Sequence, residues 1–285
     1  MTETEIIEVL ASQGVSCRLR DGVCTRVSTM GSKMEDPFES RIRHKENKLD
    51  IVALAAQLPY LKELNLRKSR LGTMPDFVST SFESIDISCN DLTEVPTWVY
   101  RQPSLQYLNL GANNITEIGR FDAPLLSFKA HKNPLTRLGR LPTTLRLLNL
   151  YMAGQPTIPA EVTDMHDLES LMFGISGMTE LMPLGHLTKL KFLAVVLSHI
   201  TTIPDDVCKL SKLEQLNLAK NELGALPENI GELTSLRALS IYGNAIVRLP
   251  ESFYSLNLAR LNVERNPLAD NRVQDVFGGI NYFRM

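Results

Sequence analysis

The segment Leu213-Glu-Gln-Leu216-Asn-Leu218-Ala-Lys-Asn221-Glu-Leu223, followed by Leu226-Pro227, decides how this chain folds. Its leucines alternate through Leu216 and Leu218, then fall at Leu223 and Leu226, with Asn221 between the two groups. The first pair reads as a short strand whose two apolar side chains point the same way, because side chains alternate along a strand. The later pair turns the chain back inward. One such segment cannot bury its apolar side alone. The pattern returns as Leu236, Leu239, Ile241, Asn244 and Ile246 before Leu249-Pro250, and as Leu105, Leu108, Leu110, Asn113 and Ile115. Self-similarity of this kind means stacked units that share one continuous core.

Aligned on the Asn position, the chain carries anchors at Ser69, Asn90, Asn113, Asn133, Ala153, Ser176, Ser198, Asn221, Asn244 and Asn266, spaced by 20 to 23 residues and making ten repeats. A degenerate eleventh, Ile42 to Leu49 around Asn47, has His44 where an apolar residue belongs. From Phe38 to Leu268 these residues resemble the leucine-rich-repeat family. The resemblance implies an α/β repeat solenoid: a horseshoe with one parallel sheet on the concave face and short helical, 3₁₀ or extended returns on the convex face. It also implies that each Asn bonds backbone groups where the chain leaves the strand, so that successive Asn residues form an internal ladder. Returns reading Leu-Pro and then Asp-Asp-Val-Cys-Lys-Leu or Glu-Asn-Ile-Gly-Glu-Leu are similar to the repeats of Ras-suppressor-type and Scribble-type cytoplasmic scaffolds. Two shorter repeats of 20 residues, anchored at Asn133 and Ala153 and containing Leu138-Gly-Arg-Leu141-Pro142, are similar to those of bacterial effector proteins.

The ends differ in kind. Residues 1–37 read as a helix-plus-hairpin cap and linker ahead of the repeats at 38–268. Thr2 or Thr4 can cap a helix carrying Ile6, Ile7, Val9 and Leu10, with Gly14 to end it. Val15, Cys17 and Leu19 alternate up to Asp21-Gly22, a two-residue hairpin signal, and Val23, Thr25 and Val27 alternate after it. In that hairpin Cys17 and Cys24 stand diagonally, which argues against a disulfide. Ser28 to Pro37 reads as a linker. Residues 269–285 read as a C-terminal cap, with Val273, Val276 and Phe277 on a short helix ended by Gly278-Gly279.

Composition narrows the function. The 30 basic and 32 acidic side chains nearly cancel, so no global field calls for nucleic acid or an anionic membrane. Local basic clusters at Arg41, Arg43, Lys45 and Lys48, at Arg67, Lys68 and Arg70, and at Lys129, His131 and Lys132 are interrupted by Glu46, Glu63, Glu83 and Asp86 and lack stacking aromatics. The N-terminus has no basic region of a signal peptide, no apolar run has membrane-spanning length, and Cys17, Cys24, Cys89 and Cys208 are scattered. The expected location is the cytoplasm. No Walker loop, dinucleotide glycine pattern, HExxH pair, CxxC pair or G-x-S-x-G elbow occurs, and His44, His131, His166, His186 and His199 fall in separate repeats. A non-enzyme is expected, with no cofactor, metal or small-molecule substrate.

The strand residues between core positions project from the concave face. In the repeats anchored at Asn221 and Asn244 these are polar: Glu214, Gln215, Asn217, Lys220, Arg237, Ser240 and Tyr242. In the middle of the array they are apolar: Leu147, Tyr151, Met152, Met172, Ile175, Phe192, Ala194, Val196 and Leu197, with Leu126 leading in. The same repeats lack the ladder Asn. Neighbouring strands gather these side chains into one patch, and Tyr, Met and Phe typify interface cores. The reading is therefore a protein-binding recognition module or scaffold that docks a protein or peptide through Leu147, Tyr151, Met152, Met172, Ile175, Phe192, Val196 and Leu197. A bacterial effector or signalling component using the same face is the alternative, and an enzyme with an unrecognised site is a third class. Self-association, or cover by a terminal segment of the same chain, competes for the patch.

Overall fold

The computed structural model describes residues 1–13, 15–21, 23–28, 48–174, 177–269 and 272–273. They belong to two compact units, Met1–Pro142 and Thr143–Met285.

The first unit opens with α1 (Glu3–Ser12), and of the two candidate caps Thr2 is the one used. Its hydroxyl accepts the Glu5 N–H at 3.3 Å while the Glu5 carboxylate accepts the Thr2 N–H at 2.8 Å, a reciprocal cap. Ile6 and Leu10, one helical turn apart, are the buried pair. The hairpin follows as β1 (Ser16–Arg20) and β2 (Val23–Ser28), antiparallel, with a bulge between Arg18 and Leu19. Asp21 takes φ 52°, as a tight turn of this kind requires. Cys17 faces Val27 and Cys24 faces Leu19, so the two cysteines are diagonal, and all four cysteines are free thiols. The thiols of Cys17 and Cys24 nonetheless share a hydrogen bond, which lowers the pKa of Cys17 and, with burial, raises that of Cys24.

After α2 (Lys48–Ala55) come β3 (Glu63–Asn65), β4 (Ser84–Asp86), β5 (Tyr107–Asn109) and β7 (Ser127–Lys129), parallel and in register. A short return helix, α3 (Thr97–Tyr100), lies between β4 and β5. The returns flanking β7 are extended: β6 (Glu117–Ile118) and β8 (Arg137–Leu138) pair with each other as a separate two-stranded sheet. The strand beside β3 is β2 of the hairpin, with the buried Val27 opposite Leu64. Ile42 to Asn47, the rest of the linker and the second half of the C-terminal cap, including Val276, Phe277 and Gly278-Gly279, lie outside the described residues. Of that cap Val273 is helical and buried.

The second unit carries β9 (Leu147–Tyr151), β10 (Ser170–Gly174), β11 (Phe192–Val196), β12 (Gln215–Asn217), β13 (Ala238–Ser240) and β14 (Arg260–Asn262), parallel and each paired with the next. Leu216, Leu218, Leu239 and Ile241 are at most 2% exposed, as the strand reading requires. The returns are 3₁₀ helices at Ala160–Asp164, Asp205–Lys209, Ile230–Glu232 and Glu251–Ser255. Three start directly after Pro159, Pro204 and Pro250, whose rings hold φ at −56°, −60° and −68°, the value at which the turn begins.

Two backbone devices repeat through both units. The ladder Asn bridges its own repeat to the one before: Asn221 Nδ2 donates to Leu218 O at 2.9 Å and Val195 O at 2.8 Å, while its Oδ1 accepts the Ser198 N–H at 3.2 Å. Asn90, Asn113, Asn133, Asn244 and Asn266 make equivalent bonds. Among the described residues, the one before each anchor takes left-handed backbone: Lys68, Cys89, Ala112, Lys132, Met152, Leu197, Lys220, Gly243 and Arg265 all have φ between 53° and 66°. This corner ends the strand and aims the next N–H groups at the following Asn.

Candidate partner-binding face

The strands of the second unit differ in length, and their lengths shape the open face. β12 and β14 end after three residues, and Asn217 and Asn262 accept the N–H two residues on, at 3.1 Å each, closing a local turn. Asn65, Asp86, Asn109 and Asn149 do the same in their repeats. At the corresponding places β10 and β11 carry Met172 and Ala194, which have no such acceptor, and these strands pair over five residues. β9 pairs with β10 over five as well. The apolar strands are thus the long ones.

Register turns this into rows of side chains that cross the strands. One row runs Asn149, Met172, Ala194, Asn217, Ser240, Asn262. Two residues further on, another runs Tyr151, Gly174, Val196. Hydrogen bonds from Leu197 N to Ala219 O at 3.0 Å, Lys220 N to Tyr242 O at 2.7 Å and Gly243 N to Glu264 O at 2.9 Å continue that row through Ala219, Tyr242 and Glu264. Gly174, Ala194 and Ala219 are small and sit between the larger Tyr151, Phe192 and Tyr242. A trough of about 600 Å³ results. Gly174 has no room for a side chain, since a Cβ there would lie 2.2 Å from the Val196 carbonyl oxygen.

Of the residues expected to bind a partner, Tyr151, Met172, Phe192, Val196 and Leu197 line this trough. All five are half-buried. Leu147 is half-buried at the start of β9, and Met152, at the left-handed corner beyond it, is the most exposed of the set at 37%. Neither lines the trough. Ile175 lies outside the described residues. Ala194, expected to project, is 3% exposed and forms floor.

The polar half of the trough is lined by Asn217, Lys220, Ser240 and Tyr242, which the sequence marks as polar concave residues, and by Asn262 and Glu264, which sequence reasoning did not single out. Their row positions are those of the apolar residues, two and three strands over, and that register was the available signal. Lys220 and Glu264 are exposed, and neither side chain has an ion-pair partner among the described residues. The Arg265 guanidinium lies 5.3 Å from the centroid of the Tyr242 ring and is engaged there.

Elsewhere, stacking brings the rings of His166 and His186 within 6.2 Å across adjacent repeats, a contact their sequence separation did not suggest. Among the described residues no three His, Cys, Asp or Glu side chains gather as metal ligands. Of the acidic residues near the basic clusters, Glu63 pairs with Arg26 at 3.3 Å and Glu83 with Lys62 at 2.8 Å, both cations outside those clusters. No helix among the described residues is long and apolar enough to cross a membrane.

A strand, a left-handed corner, an Asn clamp and a return, stacked in register, define a repeat protein of the solenoid class. Residues 188–246 match the family profile described as leucine rich repeat. No curated protein matches it significantly in sequence. Among solved structures, a leucine-rich-repeat protein of Leptospira interrogans is similar with 23% identity, over 81% of this chain and 74% of that one, at a TM-score of 0.59. YopM from Yersinia enterocolitica is 23% identical over 75% of this chain and 50% of its own, at 0.56. The Arabidopsis receptor kinase HAESA, solved with the peptide hormone IDA and the co-receptor SERK1, is 22% identical over 95% of this chain and 47% of its own, at 0.65. The chain thus spans about half of the latter two. These likenesses are likenesses of fold, and repeats of this fold in general form protein-interaction modules.

Proposed function

We propose that the chain is a recognition module that docks a protein or peptide on the concave face of its repeats, over β9–β11. One observation carries this reading. Tyr151, Met172, Phe192, Val196 and Leu197 meet around a trough on the side of the sheet that the core does not use. Each such side chain contributes about 1.5–3 kcal/mol when fully covered, so completing the burial of several half-covered ones supplies a useful affinity. Nothing in the trough pairs a nucleophile with a base, and the shape suits an extended ligand better than a reaction centre. The 20-residue repeats support a second reading within the same class, a bacterial effector or signalling component using this face.

The experiment compares partner capture with melting temperature in four variants. Phe192→Asp and Tyr151→Asp abolish capture while melting within a few degrees of the parent, because neither side chain belongs to the buried core. Matched changes at Glu214 and Arg237, both exposed and outside the trough, leave capture intact. Undiminished capture by the two Asp variants removes this face from consideration.

A further inference from the structure

The trough is not uniform along its length, and the order of its chemistry carries information about what fills it. Crossing the strands from β10 to β14, it is first apolar at Met172, Phe192 and Val196, then cationic at Lys220, then anionic at Glu264. Two small residues, Ala194 and Ala219, line it between these groups. Neither charge is answered by the protein's own described side chains. Lys220 stands at the corner after β12 and Glu264 one residue before the corner after β14, two strands apart, so about 10 Å separates their strands across the sheet at a spacing of 4.7–4.9 Å. An extended peptide advances about 3.3 Å per residue, so three residues bridge that gap and about two lead from an anchor over Val196 to Lys220.

From this order of charges the geometry points to a specific occupant, resting on the concave-face reading above. It is an extended peptide segment that crosses the strands with an aromatic or branched aliphatic side chain over Gly174 and Val196, an acidic side chain about two residues further on at Lys220, and a basic side chain about three residues beyond that at Glu264. The anchor fills the apolar end, and the two charges fix its direction and register. Opposite charges of this kind discriminate between ligands more than they add affinity, and charges set the wrong way round repel.

The test uses the full chain and four acetylated, amidated nine-residue peptides. One carries Phe, Asp two places later and Lys three places after that in an Ala background; the second is its reversed sequence, because either chain direction satisfies the order. The other two are the same peptides with Asp and Lys exchanged. By calorimetry or fluorescence anisotropy, one of the first two binds saturably and its exchanged partner binds about fivefold or more weaker. In the double variant Lys220→Glu, Glu264→Lys the preference reverses, which a change in folding cannot produce. Equal binding of a peptide and its exchanged form, or no saturable binding of any of the four, overturns the inference. Capture by the Phe192 and Tyr151 variants still decides the broader reading on its own. A self-association of the peptide-free chain that Phe192→Asp abolishes assigns the trough to a second copy and also overturns it.

Discussion

Lys132 stands in left-handed backbone at φ 53° with its side chain exposed to solvent, a conformation that brings Cβ against the carbonyl oxygen. The corner penalty is about 1–2 kcal/mol for an L side chain, whereas glycine loses about 0.5–1 kcal/mol through the freedom of its unfolded chain. Gly243 already occupies the same corner in a later repeat. Lys132→Gly is therefore expected to stabilise by about 0.5–1 kcal/mol, seen as a higher urea midpoint at unchanged slope. Its neighbour His131 makes the opposite kind of statement. The imidazole packs so closely on Gly111 that a Cβ there would lie 2.1 Å from Cε1, and its Nδ1 is buried without a partner. Burial first, then Lys132, Lys129 and Arg67, lower its pKa below the ordinary 6.5. A lowered histidine pKa means that the unfolded chain binds the proton more readily than the folded one. Stability is thus whole above pH 6.5 and falls as the pH drops from there toward the folded value. In His131→Asn this part of the loss disappears, which paired denaturation curves at pH 7.5 and 5.5 would reveal as a smaller difference than in the parent.

At the level of elements, the Asn clamps are what make one repeat depend on the next. Asn221→Ala removes the amide that accepts the Ser198 N–H and donates to the Val195 carbonyl in one repeat and to the Leu218 carbonyl in its own. Unsatisfied buried groups cost about 1–3 kcal/mol each, with partial relief from relaxation, so a loss of about 2–4 kcal/mol is expected by chemical denaturation. Ala153 already stands at the same place without an amide, so Ser198→Ala is expected to stay within about 1 kcal/mol. The strands and the returns were legible beforehand, because Leu216, Leu218 and Leu226-Pro227 state them in residue types that recur, and the clamps at Asn221 and its equivalents followed from the family resemblance. The left-handed corner was not, because Lys, Cys, Ala, Met, Leu, Gly and Arg all occupy it and no single residue type marks it. The trough was half legible. Tyr151, Met172 and Phe192 announce themselves as apolar residues in a polar series, but the small residues that line the trough between them and Tyr242, Ala194 and Ala219, come from two repeats that only register brings together.

For the molecule as a whole, cohesion rests on leucine, isoleucine and phenylalanine side chains passed from one repeat to the next, with free thiols at Cys17, Cys24, Cys89 and Cys208. Burial pushes the Cys208 thiol up to about 12, which keeps it protonated and unreactive at neutral pH. Neither a chelator nor a reductant is therefore expected to move the melting temperature, and a fall of many degrees with either would show a metal or a disulfide holding the fold. The clamps have a direction as well as a strength. Asn221 reaches back to Val195, Asn244 to Leu218 and Asn266 to Ile241, never forward, so each repeat is completed by the residues that follow it in the chain. On the ribosome this means that the most recently made repeat waits for its last hydrogen bonds until some twenty further residues emerge, about one to five seconds at ordinary rates of synthesis. The growing end of the nascent solenoid always carries one unfinished edge, and the repeats behind it are already closed.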